Sequence, residues 1–313
     1  MWFLNNLDIH LYNEEIVLRG ERDTASGHTL RGYVLLNLRN SSKITSLQLT
    51  LQGIACIPSE SSEIFVQHKI EFLEETDVTK SFESGTYMYQ FELPFTGDQP
   101  ETVNSRNGSI KYMLKAVAKR EGFPFQSDLK CERPIKVQRI HSMDQNEMDP
   151  QELLKFGEIQ GELGFTIYSN SNSYQPGQDI GLKVGTKLFN PRSRIESIQA
   201  CIIEVVKYHT KNGNIKSTKR PLAETIKYED LRKRQPAIDL NLLQIPVNLD
   251  IQPDCKNAFL SISHSIEVQI CLLSSLGAKK YILVRTPIHL SNKEVDTLPL
   301  YTSITLDSPP AYC

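Results

Sequence analysis

The stretch Ile110-Lys-Tyr-Met-Leu-Lys-Ala-Val-Ala-Lys119 alternates along its whole length between two kinds of position. Its even-numbered residues are all apolar, and three lysines stand among its odd-numbered residues. Successive side chains of an extended chain point to opposite faces, so this stretch has one apolar and one largely polar face. A period of two over ten residues is typical of a strand in an antiparallel sheet that packs on a core with one face and meets water with the other.

The same alternation recurs from one end of the chain to the other and predicts many short strands. Turn residues such as Gly97-Asp98, Asn107-Gly108 and Tyr174-Gln-Pro-Gly177 separate the alternating runs. No clear amphipathic helix of three turns is present, and Leu222 to Arg234 is ambiguous because it has helix formers without an apolar stripe. The residues predicted to face a core are Leu7, Ile9, Leu11, Leu47, Leu49, Leu51, Tyr87, Tyr89, Phe91, Leu93, Leu163, Phe165, Ile167, Ile180, Leu182, Val184, Leu188, Cys201, Ile203, Val205, Ile238, Leu240, Leu242, Ile262, His264, Ile266, Val268, Ile270, Ile282, Val284, Ile288 and Leu290.

One polar interval divides the chain into two parts. The segment His141-Ser-Met-Asp-Gln-Asn-Glu-Met-Asp-Pro150 interrupts the alternation and has almost no large apolar residue. The sequence therefore predicts an all-β protein with two tandem β-sandwiches of the immunoglobulin type. We place the first sandwich at residues 1–140, a linker at 141–155, the second sandwich at 156–290 and a short flexible C-terminal tail at 291–313.

Composition favours a folded intracellular protein. The 313 residues are 39% hydrophobic and 23% charged, with a net charge of −2, which permits a core and gives no overall attraction to nucleic acid. Residues 1–20 lack the basic-then-apolar pattern of a signal peptide, and no apolar run reaches the roughly 18 residues of a membrane span. The cysteines show neither disulfide-framework nor zinc spacing, so we expect buried, reduced thiols at Cys56, Cys131, Cys201, Cys255, Cys271 and Cys313.

The motifs of enzyme and metal sites are missing from this sequence. It contains no Gly-x-Ser-x-Gly elbow and no phosphate-cradling loop, and its seven histidines have no ligand-like neighbours at short spacing. His264 lies in phase with Ile262 and Ile266, which favours a structural histidine in the core over a metal ligand. We therefore expect no catalytic residue, no metal and no cofactor.

Positive charge is concentrated in one region of the second half. Residues 207–234 hold nine basic and three acidic residues, a local charge of 9 − 3 = +6. Lys211-Asn-Gly-Asn214 is typical of a hairpin turn, so the charges would decorate its strands and the loop that follows. Two interpretations stay open: a solvated edge that discourages sheet-to-sheet pairing, or a contact for acidic cargo or anionic lipid. Nucleic acid is disfavoured because aromatic residues are not interleaved with the charge. The basic residues are Lys207, Lys211, Lys216, Lys219, Arg220, Lys227, Arg232, Lys233 and Arg234.

The predicted tail contains a recognition motif. Pro309-Pro310-Ala311-Tyr312 is biased towards polyproline II, because each proline fixes its own φ and restricts the preceding residue. Such a segment fits the aromatic-lined groove of a WW domain, with Pro309, Pro310 and Tyr312 as the contacting residues. A weaker variant occurs upstream at Leu298-Pro299-Leu300-Tyr301, where Leu298, Pro299 and Tyr301 would form a second WW ligand. The alternative interpretation of this segment is structural: Leu298 and Pro299 would be an ordinary apolar pair that ends the second sandwich.

Several segments together resemble the arrestin superfamily, and the tail resembles its α-arrestin branch, the arrestin-related trafficking adaptors. The resemblance covers nearly the whole chain and rests on the order of these segments together with the terminal motif. It gives no match to the buried ion-pair cluster with which visual-type arrestins sense phosphate, so no phosphate switch is implied. The segments are Gly32–Leu38, Ile44–Gly53, Tyr89–Pro94, Ser109–Ala116, Tyr174–Gln178 and Ser261–Val268.

This resemblance implies an adaptor rather than an enzyme. Proteins of this branch connect membrane transporters or receptors to a HECT-type ubiquitin ligase, whose WW domains take the Pro-Pro-x-Tyr motif. The expected partners are therefore that ligase, the cytosolic tails of transporters or receptors, and an anionic membrane surface. The expected location is the cytoplasm, with peripheral recruitment to the plasma membrane or endosomes for ubiquitination, endocytosis and sorting.

Two other functions would suit the predicted fold. A retromer-like structural sorting scaffold would have the same architecture, but it would have no use for the Pro-Pro-x-Tyr motif. A glycan-binding sandwich would expose tryptophans, and the single tryptophan here is Trp2.

Overall fold

A computed structural model describes residues 5–58, 61–73, 80–105, 108–121, 127–140, 151–159, 161–209, 215–228, 239–248, 250–274 and 276–292. The regular elements within these ranges are all β-strands, as the alternating pattern predicts. The strands form four sheets, two in each half of the chain. The predicted pair of tandem β-sandwiches is therefore confirmed.

The first domain contains two sheets built from ten strands. A three-stranded sheet has the order β1-β3-β7, and a larger sheet has the order β2-β10-β9-β4-β5, with β6 beside β4 and β8 beside β9. Neighbouring strands run antiparallel except for β2 and β10, which are parallel. The strands are β1 (Asn6–Leu11), β2 (Glu15–Arg19), β3 (His28–Leu38), β4 (Ser42–Cys56), β5 (Glu63–Leu73), β6 (Lys80–Phe82), β7 (Gly85–Phe95), β8 (Val103–Ser105), β9 (Gly108–Arg120) and β10 (Leu129–Ile140).

The stretch Ile110–Lys119 lies in β9, near the centre of the larger sheet. Its even-numbered residues are buried and its odd-numbered residues are at least partly accessible, as the alternation predicts. Tyr112 donates a hydrogen bond of 2.7 Å from its hydroxyl to the carbonyl oxygen of Pro100. Burial raises the pKa of the Tyr112 phenol, and the nearby carboxylate of Glu101 raises it further.

The second domain also contains two sheets. A four-stranded sheet has the order β11-β12-β14-β17, and a larger sheet has the order β13-β20-β19-β15-β16, with β18 beside β19. Only β13 and β20 are parallel among the described pairs of this domain. The strands are β11 (Leu153–Ile159), β12 (Leu163–Ser169), β13 (Ser173–Tyr174), β14 (Asp179–Leu188), β15 (Ser193–His209), β16 (Ile215–Tyr228), β17 (Asp239–Pro246), β18 (Cys255–Lys256), β19 (Leu260–Ser274) and β20 (Lys279–Leu290).

The structure differs from the sequence-based expectation at the linker and in β15. Strand β11 begins at Leu153, so the predicted linker at 141–155 ends earlier than expected; residues 141–150 lie outside the described ranges. In β15 the second core contains Ile198, Ala200 and Ile202 rather than the predicted set at 201, 203 and 205. Both faces of β15 are largely covered, so apolar composition alone could not identify the inward face.

Cysteine burial is also less uniform than composition suggested. Cys201, Cys255 and Cys271 are buried, whereas Cys131 is partly accessible. Cys56 is exposed, because it is the last residue of β4 and lies at the end of the strand. The prediction that all six thiols are buried is therefore wrong for Cys56, and Cys313 lies outside the described residues.

The core of the first domain extends across the domain boundary. Its buried cluster includes Val206 and Tyr208 of β15, and Leu260 and Ile262 of β19, all of which belong to the second domain by sequence. Phe65 and Phe259 pack across the boundary with ring centroids 5.0 Å apart. Hydrophobic contact, and not the linker alone, therefore joins the two domains.

Candidate functional site

Both proline-containing motifs of the tail lie outside the described residues. The residues concerned are Leu298, Pro299 and Tyr301 of the first motif and Pro309, Pro310 and Tyr312 of the second. The last described residue is Asn292, whose side-chain amide donates a hydrogen bond of 3.4 Å to the carbonyl oxygen of Arg139. The described chain thus ends where the two domains meet.

The basic run occupies an outer edge of the second domain. Strands β15 and β16 pair antiparallel, as the predicted hairpin requires, and β16 is the last strand of its sheet. Lys207, Lys216 and Lys219 are exposed on these strands. Side chains of the remaining lysines and arginines of the run, apart from Arg220, are not described; these are Lys211, Lys227, Arg232, Lys233 and Arg234.

The strand register divides the basic side chains between two faces. Lys219 is paired with Val205, two residues from Lys207, so Lys207 and Lys219 share the outer face of the sheet. Lys216 and Arg220 are paired with Tyr208 and Glu204 and share the opposite face. The described part of the run is therefore not a single patch.

Arg220 makes an internal contact instead of facing an open surface. Its Nε atom donates to Oε1 of Glu204 at 2.5 Å, and its Nη2 atom donates to Oε2 at 3.1 Å. The side chain of Glu204 is 1% exposed and that of Arg220 is 39% exposed. This two-point contact raises the pKa of Arg220 and compensates the buried carboxylate.

A buried polar layer continues from Glu204 into the second domain. We define this polar layer by Glu204 of β15, His264 of β19 and Asp254 of the loop before β18. His264 Nδ1 lies 2.5 Å from Oδ1 of Asp254, and His264 Nε2 lies 4.0 Å from Oε2 of Glu204. The other carboxylate oxygen of Asp254 lies 3.4 Å from Nδ1 of His289, which is largely exposed.

The polar layer separates two hydrophobic clusters within the same pair of strands. On one side, Val206 and Ile262 belong to the core shared with the first domain. On the other side, Ile202 and Ile266 belong to the core of the second domain. His264 is therefore buried, as predicted from its phase, but its Nε2 atom has no hydrogen-bond partner in the described structure.

A second group of polar side chains holds the other side of the domain boundary. Arg139 donates to the carbonyl oxygens of Gly20, Gly97 and Gln99 at 2.7–2.9 Å. Burial lowers the pKa of Arg139, and the carboxylate of Glu101, 3.8 Å from its Nε atom, opposes that shift. Burial raises the pKa of the Cys255 thiol, and Glu101 raises it further.

These contacts serve to position backbone segments. Within the described ranges, no three His, Cys, Asp or Glu side chains come together in a way that could hold a metal ion. None of the described residues forms a helix of the length and apolarity needed to cross a membrane.

Two family models match consecutive parts of the chain. The model described as "Arrestin (or S-antigen), N-terminal domain" matches residues 19–144, and "Arrestin (or S-antigen), C-terminal domain" matches residues 160–295. The chain belongs to the arrestin superfamily. The first match covers β3 to β10 and the second covers β12 to β20, so each arrestin domain corresponds to one pair of sheets.

Fungal arrestin-related proteins are similar to this arrestin. The chain is 21% identical to "HECT-type ubiquitin ligase-interacting protein creD" of Emericella nidulans, over 97% of this chain and 58% of that protein. It is 29% identical to the probable protein of the same name from Aspergillus terreus, over 42% of this chain and 25% of that protein. For the Aspergillus fumigatus protein the identity is 24%, over 47% and 26%. The chain thus spans less than two thirds of the length of these relatives.

The polar layer of this arrestin was not evident from the sequence. Glu204 and Arg220 are sixteen positions apart, and their pairing follows from the register of the β15–β16 hairpin, which is continuous from His209 and Ile215 to this pair. One signal was present: Glu204 is a charged residue in phase with Ile202 and Val206, and such a residue needs a partner when it is buried.

Proposed function

We propose that this arrestin is a non-enzymatic adaptor that binds a HECT-type ubiquitin ligase and brings it to membrane transporters or receptors for ubiquitination, endocytosis and sorting. The observation that carries the proposal is Pro309-Pro310-Ala311-Tyr312 following two arrestin domains on one chain. The names of the fungal relatives, which describe them as interacting with HECT-type ubiquitin ligases, support it.

The ligase end of the adaptor is the Pro-Pro-x-Tyr segment. Two consecutive prolines restrict the backbone before binding, so little conformational entropy is lost when the segment enters an aromatic-lined WW groove. Tyr312 supplies a ring for a second pocket. Leu298, Pro299 and Tyr301 form a second, weaker WW ligand in this proposal.

The cargo end of the adaptor is the basic edge of the second domain. Lys207 and Lys219 share the outer face of the β15–β16 pair, and β16 has no further strand beside it in the described sheet. Acidic stretches in the cytosolic tails of membrane proteins would complement these charges, as would an anionic membrane surface. Arg220 contributes less, because its guanidinium is bound to Glu204.

This function places the protein in the cytoplasm, with recruitment to the plasma membrane or endosomes through its cargo. Its domains would comprise the sandwiches at 1–140 and from Leu153 to residue 290, and the ligase-binding tail at 291–313. A retromer-like scaffold is the alternative, and the Pro-Pro-x-Tyr segment argues against it because a scaffold needs no ligase.

The decisive experiment compares Tyr312→Ala with the wild type in binding to an isolated WW domain of a HECT ligase. We expect a loss of affinity of at least about tenfold, or about 1.4 kcal/mol, with no change in the thermal midpoint of unfolding. Tyr281→Ala is the matched control, because Tyr281 is an exposed tyrosine on β20 within the folded body. Unchanged affinity of the Tyr312 variant would exclude the motif as the ligase contact.

A further inference from the structure

Strand β11 is an open edge with exposed apolar side chains. It is the first strand of the four-stranded sheet, and its only described partner in that sheet is β12. Leu154 is 57% exposed and Phe156 is 75% exposed, and both lie on the outer face of the sheet. The backbone groups on the far side of β11 lack a strand partner among the described residues, so the edge presents both a hydrogen-bonding row and an apolar surface.

Strand β16, the edge strand of the other sheet in this domain, has a different composition. The edge strand β16 carries Lys216, Lys219 and Pro221, and lysine and proline are residues that discourage pairing with another strand. Strand β11 has one lysine, Lys155, and no proline. The contrast indicates that β16 is protected against strand addition and that β11 is not.

We propose that β11 is a contact between two copies of this chain, in which the β11 strands of both copies pair antiparallel about a two-fold axis at Phe156. The basis is the self-complementarity of the strand in that register. On the exposed face, Phe156 lies opposite Phe156 of the second copy and Leu154 lies opposite Glu158, while the inward-facing Leu153 lies opposite Ile159. Leu154 is diagonal to Phe156 of the second copy on the same face, within reach of an aromatic ring.

The register also avoids repulsion between like charges. Lys155 lies opposite Gly157 of the second copy, which has no side chain. A Cβ atom at 157 would lie 2.6 Å from the ring of Phe165, so a larger residue there would require this ring to move. A shift that moved the axis to Lys155 would instead place the two Lys155 side chains directly opposite each other, which is destabilising.

The contact would join two four-stranded sheets into one eight-stranded sheet. It is independent of the proposed ligase binding, since β11 shares no residue with the tail or with the basic run. An extended peptide from another protein could use the same backbone groups, but the pairing of Phe156 with itself favours a second copy. The experiments below separate these two occupants.

The first experiment measures mass by sedimentation equilibrium over a series of concentrations. We expect the wild type to move with rising concentration from the monomer mass of 35.6 kDa towards twice that value. Phe156→Lys should remain a monomer, because two ammonium groups would face each other at the axis. Tyr281→Lys is the matched control, since Tyr281 is 59% exposed on the other sheet, and it should dimerise like the wild type. Monomer mass at every wild-type concentration overturns the proposal.

The second experiment tests the register by disulfide formation. In a background of Cys56→Ser and Cys313→Ser, Phe156→Cys should form an intermolecular disulfide under mild oxidation, because opposed Cα atoms in a sheet lie about 4.5–5.5 Å apart. Leu154→Cys should not, since the two Leu154 positions would be about 14 Å apart at about 3.4 Å per residue. Equal crosslinking of both variants, or crosslinking of Leu154→Cys alone, overturns the two-fold register. The proposal is also overturned if neither variant crosslinks, the wild type has monomer mass, and the protein binds an unrelated extended peptide. In that case β11 would pair with another protein and not with a second copy.

Discussion

Glu204 and Arg220 are joined by two hydrogen bonds across β15 and β16, with the carboxylate 1% exposed and the guanidinium 39% exposed. This pair connects the basic edge of the second domain to the polar layer beneath it. Removing one partner from a buried pair leaves an uncompensated charge, which costs more than the pair itself contributes.

Arg220→Ala should therefore lower the free energy of unfolding. We expect a loss of about 2 kcal/mol in the free energy of unfolding, because Arg220 is partly solvated. This value lies between the roughly 0–1 kcal/mol contributed by a surface ion pair and the roughly 3–5 kcal/mol lost when a fully buried pair is broken. Lys219→Ala is the matched control, since Lys219 is the preceding basic residue and is exposed on the outer face. Chemical denaturation of the three proteins is the measurement. Equal losses for both variants would show that Glu204 does not depend on Arg220.

The thiol of Cys255 should make stability depend on alkaline pH. Burial and Glu101 raise its pKa in the folded state, so the folded protein holds the proton that the unfolded chain releases above about pH 8.5. This contribution is present below that pH and is lost as the pH rises. Between pH 7.5 and pH 10 the wild type should lose up to about 2 kcal/mol that Cys255→Val does not lose.

Two checks accompany this prediction. Denaturation curves of both proteins at each pH give the difference directly, and the other titrating groups cancel in the comparison. At pH 8, an alkylating reagent should modify the exposed Cys56 well before Cys255 in the folded protein. Parallel pH profiles of wild type and Cys255→Val would contradict the predicted shift.

The basic run can be tested separately from the tail. Reversing Arg232, Lys233 and Arg234 to Glu should impair ubiquitination of cargo and leave ligase binding unchanged, because the two activities are assigned to different segments. The effect should be larger at low salt, since the Debye length is about 8 Å at physiological ionic strength and shrinks as salt is added. Lys183→Glu with Lys187→Glu is the control, because these two exposed lysines lie on another sheet of the same domain. Normal ubiquitination of cargo after the charge reversal would contradict a role in cargo binding and would favour the interpretation of the basic run as a solvated edge.

The second WW ligand should matter only when two WW domains are linked. Tyr301→Ala should weaken binding to a tandem WW protein and leave binding to one isolated domain unchanged, because the second contact becomes intramolecular after the first. Eight steps separate Tyr301 from Pro309, a span of at most about 26–29 Å, which limits how far apart the two grooves can be. Isothermal titration with both WW proteins provides the measurement. Equal tandem affinities of wild type and variant would return Leu298–Tyr301 to a structural role.

The faces of single strands were largely predictable from the sequence, and the depth of burial was not. Alternation placed Ile262, His264 and Ile266 on one inward face of β19 correctly. It could not show that Ile262 belongs to the core shared with the first domain while Ile266 belongs to the second core. A period of two defines a direction for each side chain, whereas the identity of its neighbours depends on how the sheets are stacked.

The polar layer was beyond sequence reasoning for a related physical reason. Asp254 reaches His264 from a loop whose path no local pattern specifies. In β15 the wrong face was predicted because apolar residues occupy both faces, at 198, 200 and 202 as well as at 201, 203 and 205. The tail motif is the converse case: its chemistry is local, so the sequence alone was sufficient to propose it.

The core that runs from the first domain to Val206 and Ile262 makes the two sandwiches one mechanical body. A joint held by packed side chains resists bending and twisting, whereas a polar linker alone would allow both. In the proposed adaptor, the distance between the basic edge of the second domain and the domain boundary would then be fixed. The described chain ends at this boundary, beside Arg139. Under the proposed function, the distance between a bound cargo and a bound ligase would therefore depend on the residues that follow Asn292.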